Sequence, residues 1–208
     1  MEQRDRFGRT EAEFLAQYDE NKYRHPSVTV DMAIFTPDAK KLLLIRRKNH
    51  PFIGGWALPG GFVDMEEDLE SAAKRELFEE TGVKGASLKQ VMTFGAPHRD
   101  PRTRVISVLY TAVLPEINPT AGDDAAEAEV FDLDCTLLGV SDGCERLRIR
   151  AVSKTGEIAV ESIVGYRTDG FCESVEVLGR GSSENAFASD HAAMIFMAYK
   201  AVKGLAAD

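Results

Sequence analysis

The chain has 208 residues, of which 44% are hydrophobic and 28% charged, and carries a formal net charge of −9. These are the proportions of an ordinary globular protein, and the length favours one domain, 1–208, with room for an addition. No apolar run approaches the ~20 residues needed to span a bilayer, the first ten residues lack a signal-peptide pattern, and the acidic balance argues against a nucleic-acid partner, which would require basic patches.

An acidic chain still binds a polyphosphate when divalent ions supply the positive charge. Cys135, Cys144 and Cys172 form no C-x-x-C pair and have no His at zinc spacing. They are expected to be reduced, structural thiols in a cytosolic protein.

In chain order, Thr10 and Glu13 predict a capping box for a short helix carrying Phe14, Leu15 and Tyr18, closed by Pro26. Residues 28–35 read as a strand and Pro37-Asp38 as a turn. Residues 42–45 form an apolar run suited to a strand buried on both faces, followed by Arg46 and Arg47. Residues 54–61 hold four glycines and a proline and cannot be regular throughout. A helix is predicted from about Glu67 to Thr81, closed by Gly82. Another β-rich run covers 104–113. Between Asp134 and about Glu184 the pattern changes to a small β-rich insertion: 147–152 and 157–163 flank a turn at 154–156, and 171–178 adds a third strand. The last helix is expected over 190–203, capped by Ser189 or Asp190 and stopped by Gly204.

Glu76, Glu79 and Glu80 are spaced i, i+3 and i+4, so one helix face presents all three within about a 100° arc. A merely solvated face would pair Glu76 with a cation four residues on. It is followed instead by Glu80, a like-charge pair costing roughly 0.2–0.5 kcal/mol. Both lie near the helix C-terminus, where the macrodipole disfavours negative charge. A bound cation explains this better than solubility does. Oxygen ligands without His or Cys favour Mg²⁺, with Mn²⁺ as a substitute, over zinc. The preceding glycines let backbone atoms approach the same ions and phosphates closely.

Gly61, Glu67, Arg75, Glu76, Glu79, Glu80 and Gly82, with Leu77 and Val83 at the hydrophobic positions, resemble the Nudix box position for position. Segments 23–31, 56–61, 99–104 and 121–128 are similar to one Nudix subgroup, which contains ADP-ribose pyrophosphatases and transcriptional regulators of NAD metabolism. The insertion falls outside that subgroup's usual pattern. The resemblance implies an α/β fold, an α/β/α sandwich around a mixed sheet, with the β-rich insertion (about 134–184) before the C-terminal helix. It further implies that Glu76 and Glu80 are the principal Mg²⁺ ligands, assisted by Glu79 and by a carbonyl of Gly60 or Gly61, with Arg75 orienting the glutamates. A base outside the box would be Glu127, with Asp123 and Asp124 behind it.

Arg46, Arg47, Arg99, Arg102 and Arg104 are the candidate phosphate- or base-binding cations, each with the competing reading of a surface charge. Trp56 reads as core rather than as a base-stacking platform, and His98 and His191 as structural or solvent-facing rather than as site residues. The expected partner is a nucleoside diphosphate substrate, ADP-ribose before NADH, sugar nucleotides or oxidised triphosphates. The expected assembly is a homodimer, with the insertion shaping its interface or covering the site. A rival reading is an ADP-ribose sensor attached to a winged-helix domain. The net charge of −9, the end of this sequence close to the last Nudix helix, and the intact Arg75-Glu76 and Glu79-Glu80 pairs favour an enzyme.

Overall fold

A computed structural model describes residues 3–120, 125–180 and 185–205. Its centre is a mixed sheet with two hydrophobic faces. Strand β1 (Ser27–Phe35) lies parallel to β6 (Val105–Val113), in register from Ser27↔Val105 to Phe35↔Val113. β2 (Lys41–Arg47) pairs with both β1 and β7 (Ala125–Ser141), and β5 (Lys89–Phe94) forms one edge beyond β6. The side chains of β1 and β2 sort by parity. Val30, Met32, Ile34 and Leu43 face α2 (Leu69–Thr81), whereas Ala33, Phe35, Leu42 and Leu44 face α3 (His191–Leu205). Leu42 to Ile45 are buried on both faces, as the unbroken apolar run predicts. The result is the expected α/β/α sandwich. Trp56 is fully buried, edge-on to Phe131, and belongs to the core.

The glycine-rich stretch divides into two short strands, β3 (Trp56–Ala57) against β2 and β4 (Gly60–Phe62) against β1. The pairs Val30↔Gly61 and Asp31↔Gly60 bring the loop beside α2. A Cβ at Gly60 would meet the Val30 carbonyl and one at Gly61 the Glu76 carboxylate, so neither position admits a side chain without displacing its neighbour. α2 begins at Leu69 rather than Glu67, because Asp68 caps it by accepting from the Glu70 and Ser71 amides at 3.0 and 2.9 Å. Gly82 ends it at φ +70°. Ala72 and Ala73 let this helix approach the sheet closely.

The residues expected as an insertion continue the sheet. β7 runs on to Ser141, turns through Asp142 (φ 51°) and Gly143 (φ 69°), and returns as β8 (Cys144–Val152), followed by β9 (Ala159–Asp169) and β10 (Cys172–Arg180). The order β10-β9-β8-β7-β2-β1-β6-β5 makes one sheet of the described strands, with β3 and β4 attached off that path. The turn at 154–156 is present, but the strands beside it are longer than predicted. α3 packs across both parts of the sheet, with Phe196 edge-on to Tyr166 of β9. Gly204 does not stop α3, which continues to Leu205, since a glycine in a last turn leaves the helical hydrogen bonds in place. The N-terminal capping box forms as read, yet α1 (Glu11–Ala16) buries none of its side chains. No helix among the described residues is long and apolar enough to cross a membrane.

Candidate active site

A cleft of about 390 Å³ opens between α2, the β4 loop, β1, β6 and the start of α3. Glu76, Glu80, Gly60, Gly61 and Arg75 line one wall. Glu80 is only 8% exposed and accepts a hydrogen bond from the Gly60 amide at 2.8 Å. Burial pushes its carboxyl up to about 8, with Glu76 and Asp31 adding to the rise and Gly60 and Arg47 opposing it. Glu76 is raised by burial as well, against the pull of Arg75.

Arg75 is the hub of this wall. Its guanidinium donates to Glu67 at 2.5 and 3.1 Å, to Glu76 at 2.7 Å, to Glu79 at 3.1 Å and to the Phe62 carbonyl at 3.1 Å. Glu67 in turn accepts from the Asp64 amide at 3.0 Å, tying the box's loop to its helix. Glu79 faces Arg75 with a mostly exposed side chain and does not line the cleft.

The other predicted residues are placed unevenly. Arg47 lines the cleft and donates to the Pro51 carbonyl at 2.9 Å. Arg102 lines it too, held by Asp100 at 2.8 Å with its guanidinium 5.3 Å from the Phe62 ring centroid. Arg99 is cleft-lining but engaged on every nitrogen. It forks onto Asp190 at 2.8 and 2.7 Å and donates to Ser107 Oγ at 2.6 Å. Arg46 and Arg104 are not among the cleft-lining residues; Arg46 pairs with Glu127 at 3.2 Å and Arg104 donates to the Ala96 carbonyl. Glu127 therefore sits on the β2–β7 ladder, opposite Arg46 in register, with its carboxylate on that arginine and away from the cleft. Asp123 and Asp124 lie outside the described residues.

Sequence reading gave Asp31 no role and read His191 as structural or solvent-facing. Both are buried and both line the cleft, with His191 Nε2 3.9 Å from Asp31 Oδ1. Burial raises the Asp31 carboxyl and lowers the His191 imidazole. The available signal was the one charged residue midway along a strand whose second half is apolar.

Among the described residues, no three His, Cys, Asp or Glu side chains already stand together as a metal cage. A buried and a half-buried carboxylate beside a loop whose glycines exclude a Cβ still suit a hard cation that fills its remaining positions with water and phosphate oxygens. A cation there would relieve the charge that burial disfavours.

Comparison with known proteins agrees with this arrangement. The model of the NUDIX domain matches residues 25–141. The chain is 46% identical over 123 residues to an ADP-ribose pyrophosphatase of Methanocaldococcus jannaschii, covering 58% of this chain and 72% of that protein. It is 49% identical over 109 residues to the ADPR responsive transcriptional repressor NtrR of Acinetobacter baylyi, covering 50% of this chain but only 44% of the repressor. A crystal structure of a MutT/nudix family protein from Enterococcus faecalis superposes with a TM-score of 0.69 at 34% identity, over 94% of this chain and 70% of that one. Coverage that broad takes in the extended sheet. With its box on α2 and the loop before it, and a domain match spanning more than half its length, the chain belongs to the Nudix family.

Proposed function

We propose that this chain hydrolyses the diphosphate linkage of a nucleoside diphosphate derivative, ADP-ribose foremost, releasing AMP and ribose 5-phosphate. The observation that carries the proposal is the pair of a half-buried Glu76 and a buried Glu80 in the cleft wall beside Gly60 and Gly61. In this reading Glu76, Glu80 and the Gly61 carbonyl hold Mg²⁺ (or Mn²⁺), and Glu79 joins them only by leaving Arg75. Bound there, the metal supplies neutralisation of the diphosphate oxygens and acidification of a water.

The chain's own residues do the positioning. Arg75 fixes the rotamers of Glu76 and Glu79 and ties them to the loop through Glu67 and the Phe62 carbonyl. Of the predicted arginines that line the cleft, Arg47 and Arg102 are the ones left to face a phosphate, with Phe62 beside Arg102 as an apolar surface. The α2 glutamates are favoured over Glu127 for handling the attacking water, since a base role for Glu127 requires its ion pair with Arg46 to break.

The substrate rests on the pyrophosphatase relative. A cytosolic setting suits the free cysteines. A homodimer through the extended sheet would cover the exposed Leu137, Leu138 and Val140. The rival, an ADP-ribose sensor without turnover, has the repressor relative behind it. A product screen over ADP-ribose, NADH, sugar nucleotides and nucleoside triphosphates in Mg²⁺ separates the two. ADP-ribose should head the list, with turnover abolished by a chelator. Tight ADP-ribose binding with no hydrolysis of any compound would hand the cleft to the sensor.

A further inference from the structure

The cleft wall opposite α2 has a donor and an acceptor for which the reaction described above has no use. Leu58 donates its backbone N–H to His191 Nδ1 at 3.1 Å in a buried setting. A ring nitrogen that accepts carries no proton, so the neutral imidazole holds its proton on Nε2. Nε2 faces Asp31 Oδ1 at 3.9 Å, beyond direct hydrogen-bond reach. Burial disfavours the charged ring and keeps it neutral.

The carboxyl across this gap is held in place from two sides. A Cβ at position 60 would come within 2.9 Å of Asp31 Oδ1, so Gly60 leaves it room. Ser107, the β6 partner of Thr29, reaches the Asp31 carboxyl with its side chain and is itself pinned by Thr29 Oγ1 at 2.5 Å and by Arg99 at 2.6 Å. The wall therefore presents one N–H and one carboxyl 3.9 Å apart, close enough for a single oxygen on the cleft side to bridge them. An oxygen ~2.8 Å from each would accept from Nε2–H and donate to Asp31. A hydroxyl does both, and it fits Asp31 whether the carboxyl is ionised or protonated; a phosphate oxygen fits only the protonated form. An adenine edge also offers a donor and an acceptor, but its place is wrong. Asp31 pairs with Gly60 in the sheet and lies close enough to Glu80 to help raise its carboxyl. A group bound there is thus next to the diphosphate, where a sugar is attached directly and a base is one sugar farther away.

We propose that His191 and Asp31 form a subsite that reads one ribose hydroxyl of a nucleoside diphosphate, making them specificity-determining residues. The proposal rests on the reading of the cleft as a diphosphate-hydrolysing site. The test compares kcat/KM in Mg²⁺ for ADP-ribose, its four monodeoxy analogues at the 2′ and 3′ positions of either ribose, and its inosine counterpart. One deoxy compound should fall by at least about tenfold, because its absence leaves a buried polar pair unmatched. His191→Asn, whose amide oxygen can keep the Leu58 bond, should lose a similar factor on ADP-ribose and nothing further on that analogue. Wild-type values within threefold across the deoxy panel would overturn the subsite, as would a loss confined to the inosine compound or additive losses in the variant. The wild-type panel decides even if the variant fails to fold. Absence of wild-type turnover on any diphosphate would take down the underlying reading as well, whereas a flat panel takes down the subsite alone.

Discussion

On the α2 side of the cleft one arginine serves three glutamates, Glu67, Glu76 and Glu79, of which only Glu76 lines the cleft, while Glu80 has the Gly60 amide as its hydrogen-bond donor. On the wall formed by β1, β6 and α3, Arg99 is matched by a single forked aspartate, Asp190, and by Ser107. The first wall is short of positive charge; on the second, Arg99 and Asp190 match each other, and burial raises the carboxyl of the remaining acid, Asp31, and so disfavours its charge. A wall with buried, under-neutralised carboxylates is built for a cation that arrives with substrate; a balanced wall holds shape and offers hydrogen bonds. The same contrast separates the cations. Arg75 and Arg99 organise their surroundings, and Arg47 and Arg102 line the cleft where a phosphate would enter.

The strongest challenge to this contrast is steric. Gly61→Ala places a Cβ onto the Glu76 carboxylate and should cut turnover at least about a hundredfold, while circular dichroism stays that of the wild type. Retention of a third or more of the activity would show that the fit of loop to glutamate does not matter. On the balanced wall the effect should fall on stability. Arg99→Met leaves Asp190 without its partner and should cost about 2–4 kcal/mol in denaturant unfolding. No measurable loss would deny Arg99 its organising role.

The third challenge uses pH. Glu80 is raised from 4.5 to about 8, so in the metal-free folded protein its ionisation is disfavoured relative to the unfolded chain. Below about pH 4.5 the group is protonated in both states and carries no penalty. As pH rises from 4.5 towards 8 the unfolded chain gives up this proton first, so stability falls through that window and levels off above it. In a chelator, the melting temperature of wild type should therefore drop relative to Glu80→Gln across the window, and Mg²⁺ should reverse the trend. A constant difference would contradict the buried carboxylate. Glu127→Gln gives the smallest expected effect, within about threefold in kcat/KM, since its carboxylate rests on Arg46 outside the cleft. A hundredfold loss would reinstate Glu127 as the base.

Much of the α2 wall was legible before folding. Gly61, Glu67, Arg75, Glu76 and Glu80 lie within 20 residues of sequence, and helical periodicity alone puts the last two on one face. The sandwich was legible in the parity of β1 and in the unbroken run of β2. Asp31 and His191 were not, because 160 positions separate them. They meet only when β1 enters the sheet interior and α3 starts beside Leu58, which local pattern cannot foresee. The ion pair of Glu127 was not legible for a related reason: its register opposite Arg46 is a property of the β2–β7 ladder, not of either segment. The extended sheet was half seen. The turn at 154–156 was found, while the Asp142-Gly143 turn, an ordinary hairpin signal, was passed over and with it the length of β7.

The most direct test of the account is turnover of ADP-ribose by wild type and Glu80→Gln, side by side in saturating Mg²⁺, with folding of both checked by thermal unfolding. The account predicts AMP and ribose 5-phosphate from the wild type and at least a hundredfold slower release from a variant that folds normally. A folded variant within threefold of wild type would contradict it.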